Sequence, residues 1–118
     1  MRHRSKKVTL DRKAGPRKAL LNNLALQLVL HERIRTTEAK AKALRPIVER
    51  MVTRGKENTL AARRLLLRVL PTEKSVKKIL EELSPRYKTR PGGYTRITKI
   101  EPRKGDGARM AVIEFIKE

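Results

Sequence analysis

The chain has 118 residues, and 31 lysines and arginines against 12 aspartates and glutamates give it a formal net charge of +19 at pH 7. Such a charge repels itself in a compact fold unless a polyanion screens it, and nucleic acid is the commonest polyanion partner. Cysteine is absent, which excludes disulfides, thiol catalysis and cysteine-type zinc sites. No apolar run approaches the roughly 20 residues that span a bilayer. The lack of Trp, with a single Phe, also argues against an amphipathic membrane anchor.

The first segment of the chain is strongly basic and has almost no apolar periodicity. Residues 1–18 hold eight basic side chains and one acid, Asp11. Because such a segment cannot bury enough apolar surface to offset its ordering entropy, we expect residues 1–14 to be an extended or disordered arm that becomes ordered on RNA. No signal-peptide pattern follows it, so we expect a cytoplasmic protein. The length of the whole chain, 1–118, favours a single domain.

A first helix is predicted after the arm. Gly15-Pro16 is typical of a helix start, since proline in the first turn loses no hydrogen bond. Leucines at positions 20, 21, 24, 26, 28 and 30 then form a broad apolar face that ends near Leu30. That width predicts the central helix of the core, in which Leu24→Ala would cost about 2–5 kcal/mol.

A second helix follows a short extended segment. Residues 34–36 are either a strand or a linker, and Thr37 then caps a helix that carries Glu38 in its first turn. Apolar residues at positions 44, 47, 48, 51 and 52 follow helical spacing. Pro46 inside this pattern predicts a kink or a restart, and Gly55 predicts the end.

Two shorter helices are predicted next. The third begins at Asn58 or Thr59 and closes at Pro71. Thr72 then caps a fourth helix, which Pro85 should end.

The pattern changes to alternation in the last third of the chain. Residues 94–100 and 110–116 are rich in strand-forming residues, and a segment containing proline and glycine separates them, which indicates an antiparallel hairpin. The predicted fold class is therefore α+β. We expect a four-helix cluster packed on a small antiparallel or mixed sheet, made of the C-terminal hairpin and a short strand near 34–36.

The inventory of reactive side chains argues against an enzyme. Of two histidines, His31 falls at a helix end, where a solvated cation is the ordinary role. Acids such as Glu49 lie at helical spacing from cations, here Arg45, as surface ion pairs do. The Gly92-Gly93 pair opens a strand and lacks the following Gly-Lys-Ser/Thr of a phosphate loop. We therefore expect no catalysis, no cofactor and no metal.

Several features favour RNA binding. The arm can follow a phosphate backbone, and residues 86–96 place Tyr87 and Tyr94 among cations, a pattern in which charges hold phosphates and rings stack on bases. That both tyrosines are core anchors is an equally open alternative. Cations at positions 63, 64 and 68 also share a helix, as RNA contacts or as a solvated face. The predicted RNA-binding residues are Arg2, His3, Arg4, Lys6, Lys7, Arg12, Lys13, Arg17, Lys18, Lys40, Lys42, Arg45, Arg86, Lys88, Arg90, Gly92, Gly93, Tyr94, Arg96, Arg103 and Lys104.

Short motifs along essentially all 118 residues resemble, in order and spacing, the bacterial large-subunit ribosomal protein seventeen family. The resemblance implies a protein that binds large-subunit ribosomal RNA, supports subunit assembly, and has neighbouring ribosomal proteins around the polypeptide exit. It also implies that the N-terminal tail, the basic helices and the Gly-Gly-Tyr-Thr-Arg turn face RNA. The motifs include Met1-Arg2-His3-Arg4, His31-Glu32, Thr36-Thr37, Lys40-Ala41-Lys42, Leu44-Arg45, Pro85-Arg86, Gly92-Gly93-Tyr94-Thr95-Arg96-Ile97, Gly105-Asp106, Met110-Ala111 and Ile113-Glu114.

The chain departs from this family pattern near the predicted first helix. Relatives usually carry a Ser-Ser-His-Arg type of stretch where this chain has residues 13–18, and an arginine is common where Asn22 stands.

Two other classes of function are alternatives to the ribosomal one. A DNA-architectural protein would need an exposed wedge or a dimerising apolar surface. An RNA-processing enzyme would need an acid–base or metal cluster, for which the sequence offers no pattern.

Overall fold

The computed structural model describes residues 14–117, and for Ala14 the backbone only. The predicted arm, residues 1–14, therefore lies outside the described residues except for Ala14, which opens the first helix. In chain order the elements are α1 (Ala14–His31), β1 (Arg33–Thr37), α2 (Glu38–Gly55), α3 (Leu60–Leu67), α4 (Glu73–Lys78), a π-helical turn (Ile79–Leu83), a short helical turn α5 (Ser84–Arg86), β2 (Thr95–Ile100) and β3 (Met110–Phe115).

Helix α1 has the predicted extent but not the predicted place in the core. Only its C-terminal half buries residues completely, namely Ala25, Leu28 and Val29, while Leu24 is half-buried. The prediction that α1 is the central helix is wrong, because its leucines spread around the helix and one side of it faces solvent. Leu28, which is fully buried, takes the role expected of Leu24.

Helix α2 is the centre of the core. The Thr37 hydroxyl caps it by accepting a hydrogen bond from the Lys40 amide at 3.3 Å, as predicted. The helix passes through Pro46 without restarting and ends at Gly55. It contacts α1, α3, the π-helical turn and all three described strands. Its buried face consists of Ala41, Ala43, Leu44, Val48, Met51 and Val52.

The caps of α3 and α4 also follow local sequence chemistry. Thr59 accepts from the Ala62 amide at 3.1 Å, and Thr72 accepts from the Ser75 amide at 3.3 Å. The predicted end of the fourth helix at Pro85 is slightly wrong. The helical backbone continues through the π-helical turn and takes Pro85 into the first turn of α5, where proline needs no hydrogen-bonded N–H.

The sheet of the described residues is antiparallel throughout and has the order β1-β3-β2. Strand β3 is therefore central, and the short segment near 34–36 is a strand, not a linker. Ile34 and Ile97 both pair with Ile113 across the sheet. This row lies on the face that packs on the helices, where Ala111 and Phe115 are buried as well. The α+β prediction is confirmed.

Candidate nucleic-acid interface

The predicted RNA-binding residues fall into several structural groups. Seven of them lie outside the described residues: Arg2, His3, Arg4, Lys6, Lys7, Arg12 and Lys13. Arg17 and Lys18 follow in the first turns of α1, where Arg17 is half-buried and Lys18 is exposed. Their position after the basic segment makes the start of α1 a continuation of its positive charge.

The Gly-Gly-Tyr-Thr-Arg turn directs its ring into the core instead of into solvent. Tyr94 has no exposed surface, and its hydroxyl shares a 3.0 Å hydrogen bond with the Thr53 hydroxyl of α2. Its ring lies 5.2 Å from that of Tyr87, which is equally buried and donates its hydroxyl to the Ile116 carbonyl. Of the two alternatives that the sequence left open, stacking on RNA and anchoring in the core, the burial of both rings favours core anchoring.

The outward parts of this turn are backbone and cations. Gly93 adopts a φ of 64°, a left-handed conformation that glycine takes without strain, and its carbonyl accepts from the Arg90 guanidinium at 3.2 Å. The backbone carbonyl of Arg90 in turn accepts a hydrogen bond from the Lys56 ammonium. These bonds hold the turn against the end of α2. Lys88 is exposed close by.

Four predicted cations are exposed but ion-paired. Their side chains are roughly half to two thirds exposed, and pairs of this kind contribute little to stability, so a phosphate can compete for the cation. The pairs are Lys42–Glu38 at 2.9 Å, Arg45–Glu49 at 3.3 Å, Arg96–Glu114 at 2.8 Å and Arg103–Asp106 at 2.7 Å. Arg45–Glu49 is the pair that the sequence predicted. Lys40 and Lys104 have half-buried and exposed side chains, respectively.

Three of the carboxylates in these pairs, those of Glu38, Asp106 and Glu114, have lowered pKa values and are held in their charged form. The hydrogen bond from Arg96 lowers the pKa of Glu114, and that from Lys42 lowers the pKa of Glu38. Arg103 and the Ala108 amide together hold the pKa of Asp106 at about 2. At neutral pH each acid therefore cancels part of the positive charge around it.

Arg86 is more enclosed than the other predicted contacts. Its side chain is 27% exposed and donates to Glu32, which also pairs with Lys78 at 2.8 Å. This arrangement ties the end of α1 to α4 and α5. The Arg86 side chain is therefore bound within the fold, whereas those of Lys88 and Arg96 are exposed.

The outer face of the sheet carries a row of charges across all three strands. Strand pairing places Arg33 and Arg96 on either side of Glu114. Arg96 binds this carboxylate closely, whereas Arg33 lies 3.8 Å from it and is 68% exposed. With Arg35 on the same face, the row has more positive than negative charge.

Two cations that the sequence analysis did not predict as RNA-binding residues lie between two grooves. Arg50 and Arg54, one turn apart on α2, line a groove of about 450 Å³ shared with Pro91 and Gly92 of the turn. The same two arginines line a second groove, of about 360 Å³, between α1, α2 and α3. The sequence feature that could have identified them is their position three residues after Ile47 and Met51, respectively. This spacing places the two cations beside the apolar face of α2.

The second groove, which we term the helical groove, joins cations from three elements. Lys18 of α1 and Arg68, just beyond α3, face the same space as Arg50 and Arg54. The sequence had selected Lys18, and it had left Arg68 open between RNA contact and solvated face. No acid is among the residues that line this groove. Its floor is apolar and consists of Ile47, Met51, Leu65, Leu66 and Val69.

Comparison with known proteins gives consistent matches. The family model described as ribosomal protein L17 matches residues 20–116. The large ribosomal subunit protein bL17 of Hydrogenobaculum is 49% identical over 118 residues, covering 99% of this chain and all of the relative. That of Thermomicrobium roseum is 49% identical and covers 98% and 99%. The bL17 of Bdellovibrio bacteriovorus is 52% identical over 97% of this chain and 63% of the longer relative.

The chain belongs to the ribosomal protein L17 family. The family resemblance drawn from the sequence motifs is confirmed, and so is the expectation of a structural, non-enzymatic protein. Within residues 14–117, no helix has the length and apolar character needed to cross a membrane. The same part of the chain has no group of three or more His, Cys, Asp or Glu residues placed to hold a metal ion.

Proposed function

We propose that the protein is a structural constituent of the bacterial large ribosomal subunit that binds and stabilises large-subunit ribosomal RNA. The observation that carries this proposal is the near-full-length identity of about half to proteins of the large ribosomal subunit. A net charge of +19 supplies the physical basis, because each cation that neutralises a phosphate releases counterions. In this role the protein works in the cytoplasm, within the ribosome.

Two parts of a single domain share the binding of RNA. The basic arm, which precedes α1, follows the phosphate backbone. The folded part adds exposed cations, above all Arg50 and Arg54 between the two grooves, and the backbone of Gly92 and Gly93. Both parts recognise phosphates and RNA shape, and together they support assembly of the subunit and thereby translation. Neighbouring ribosomal proteins are further partners.

Retention on RNA tests this function directly. At matched salt, the protein should be retained on folded large-subunit ribosomal RNA more strongly than on duplex DNA of equal length. It should also sediment with the large subunit in a cell lysate and remain there after a high-salt wash. Equal retention on DNA and RNA, together with loss of sedimentation after the wash, would support a DNA-architectural protein instead.

A further inference from the structure

The helical groove combines features that a solvated surface does not need. Its apolar floor is partly exposed, since Leu65 is 36% exposed and Ile47 and Val69 are half-buried, whereas Met51 and Leu66 are buried. Four cations rim it: Lys18, Arg50, Arg54 and Arg68.

Charge decides which class of partner fits. The four cations come from three separate elements, yet they face one space of about 360 Å³ that no acidic side chain lines. The guanidinium of Arg50 donates to the Pro46 carbonyl at 3.2 Å, which limits its movement while leaving its plane and other N–H groups available. An anion with more than one charge therefore matches the rim.

Asn22 adds a group that can read a ligand. It is half-buried and lines the groove beside the cations and the apolar floor. Its amide both donates and accepts hydrogen bonds, whereas the cations around it only donate. A nucleobase edge offers donors and acceptors side by side, and an asparagine amide matches such an edge.

We propose that the helical groove binds an unstacked nucleotide of ribosomal RNA. The base lies on the apolar floor and against an arginine plane, Asn22 contacts its edge, and the flanking phosphates bind the rim cations. RNA fits better than an acidic peptide, because one ligand then uses the apolar floor, the amide and several separate cations. This inference rests on the proposed function and adds a specific site to it.

Substitution of the floor separates base binding from charge. Leu65→Ser removes an apolar side chain that is already partly exposed, so the fold should survive, as a melt will verify. Affinity for large-subunit ribosomal RNA should fall on the order of tenfold, equivalent to about 1.4 kcal/mol, with an unchanged salt dependence. The matched control is Leu60→Ser, on the same helix, 63% exposed and outside the groove, which should bind like wild type.

Substitution of the rim and the amide completes the test. The double variant Arg50→Gln, Arg54→Gln should weaken binding and flatten the dependence of log affinity on log salt by roughly 0.7–0.9 per phosphate that is no longer neutralised. The control pair Lys74→Gln, Lys77→Gln removes equal charge elsewhere. Base-specific chemical probing of the RNA should show one nucleotide protected by wild type that becomes reactive with Leu65→Ser and with Asn22→Ala.

Each alternative outcome is distinct. If wild type binds ribosomal RNA and the groove variants match it in affinity, salt slope and protection, the groove is not a nucleotide site, although the proposed function stands. If those variants bind RNA normally but no longer sediment with the subunit, the occupant is a protein and the inference is wrong. If wild type itself shows no preference for ribosomal RNA, the proposed function and the inference fail together.

Discussion

Gly55 lies where the end of α2 meets the helical segment after α4, and it has no room for a side chain. A Cβ atom there would stand 2.7 Å from the Ile79 side chain and closer still to the Ser84 hydroxyl. That hydroxyl is itself fixed, because it is buried and donates to the Val52 carbonyl at 2.8 Å. The absent side chain thus allows the two helical segments to approach closely.

Gly55→Ala should destabilise the fold by about 1–3 kcal/mol, the usual cost of overpacking. Gly15→Ala is the matched control, since it lies in α1 with no heavy atom within 4 Å of the added carbon. The control should be neutral or stabilise by about 0.4–1 kcal/mol through the unfolded state. Denaturant unfolding of both variants checks this. Equal stability of Gly55→Ala and wild type would mean that the close approach relaxes freely.

Tyr94 is a second single residue whose substitution should have a defined effect. Tyr94→Ala should lower stability by about 3–5 kcal/mol, because it empties a fully buried site. Measured at low temperature, where the variant is folded, its RNA affinity and salt slope should equal those of wild type. Tyr94→Phe is the control, since it keeps the ring and loses only the bond to Thr53, worth about 0.5–1.5 kcal/mol. A stable Tyr94→Ala protein with weakened RNA binding would show that the ring contacts a base after all.

Among the elements, the junction of α1 and β1 depends on one carboxylate. Glu32 has a φ of 63° and pairs with Arg86 and Lys78, so a single side chain ties α1 to α4 and α5. The hydrogen bond from Arg86, supported by Lys78, lowers the pKa of Glu32 from 4.5 to about 2. Because the folded pKa is the lower one, this carboxylate stabilises the fold fully above about pH 4.5 and loses that effect as the pH falls towards about 2.

Glu32→Gln should therefore be less stable than wild type at pH 7, and the difference should narrow below pH 4.5. Denaturant unfolding at pH 7, 4 and 3 measures both proteins. Asp106→Asn is a suitable comparison, since its carboxylate also has a pKa of about 2 but lies on an exposed loop, where the effect on stability should be small. A constant difference between Glu32→Gln and wild type at all three values would contradict the ion-pair account.

The starts of α2, α3 and α4 and the end of α2 were predictable from the sequence because local chemistry decides them. Thr37, Thr59 and Thr72 cap their helices through their own hydroxyls, and Gly55 ends α2. The central position of α2 was not predictable in the same way. A broad leucine face suggested α1, but burial depends on which neighbours an element finds. The π-helical turn after α4 likewise has no local signal that we recognised.

At the candidate interface, too, contacts within one element were predictable from the sequence, whereas contacts between elements were not. The ion pair of Arg45 with Glu49 followed from spacing within one helix. The helical groove did not, because three elements distant in sequence form it, and Arg50 and Arg54 gain their place only after folding. For Tyr94, composition left stacking and core packing equally open, and only the tertiary contact with Thr53 separates the two.

For the whole molecule, we expect RNA binding to rest on phosphate neutralisation. At least six of the ten acids in residues 14–117 pair with cations, whereas residues 1–18 hold eight basic side chains beside Asp11 alone. This uneven distribution predicts that the basic arm supplies a large share of the electrostatic affinity, independent of RNA sequence.

RNA affinity measured against salt concentration, for wild type and for a deletion of residues 2–7, tests the role of the arm. The deletion removes four cations, Arg2, Arg4, Lys6 and Lys7, and lies outside the described residues. Affinity should fall for all RNA targets alike, and the slope of log affinity against log salt should flatten by roughly 0.7–0.9 for each phosphate that the arm no longer neutralises. An unchanged slope after the deletion would contradict the electrostatic account.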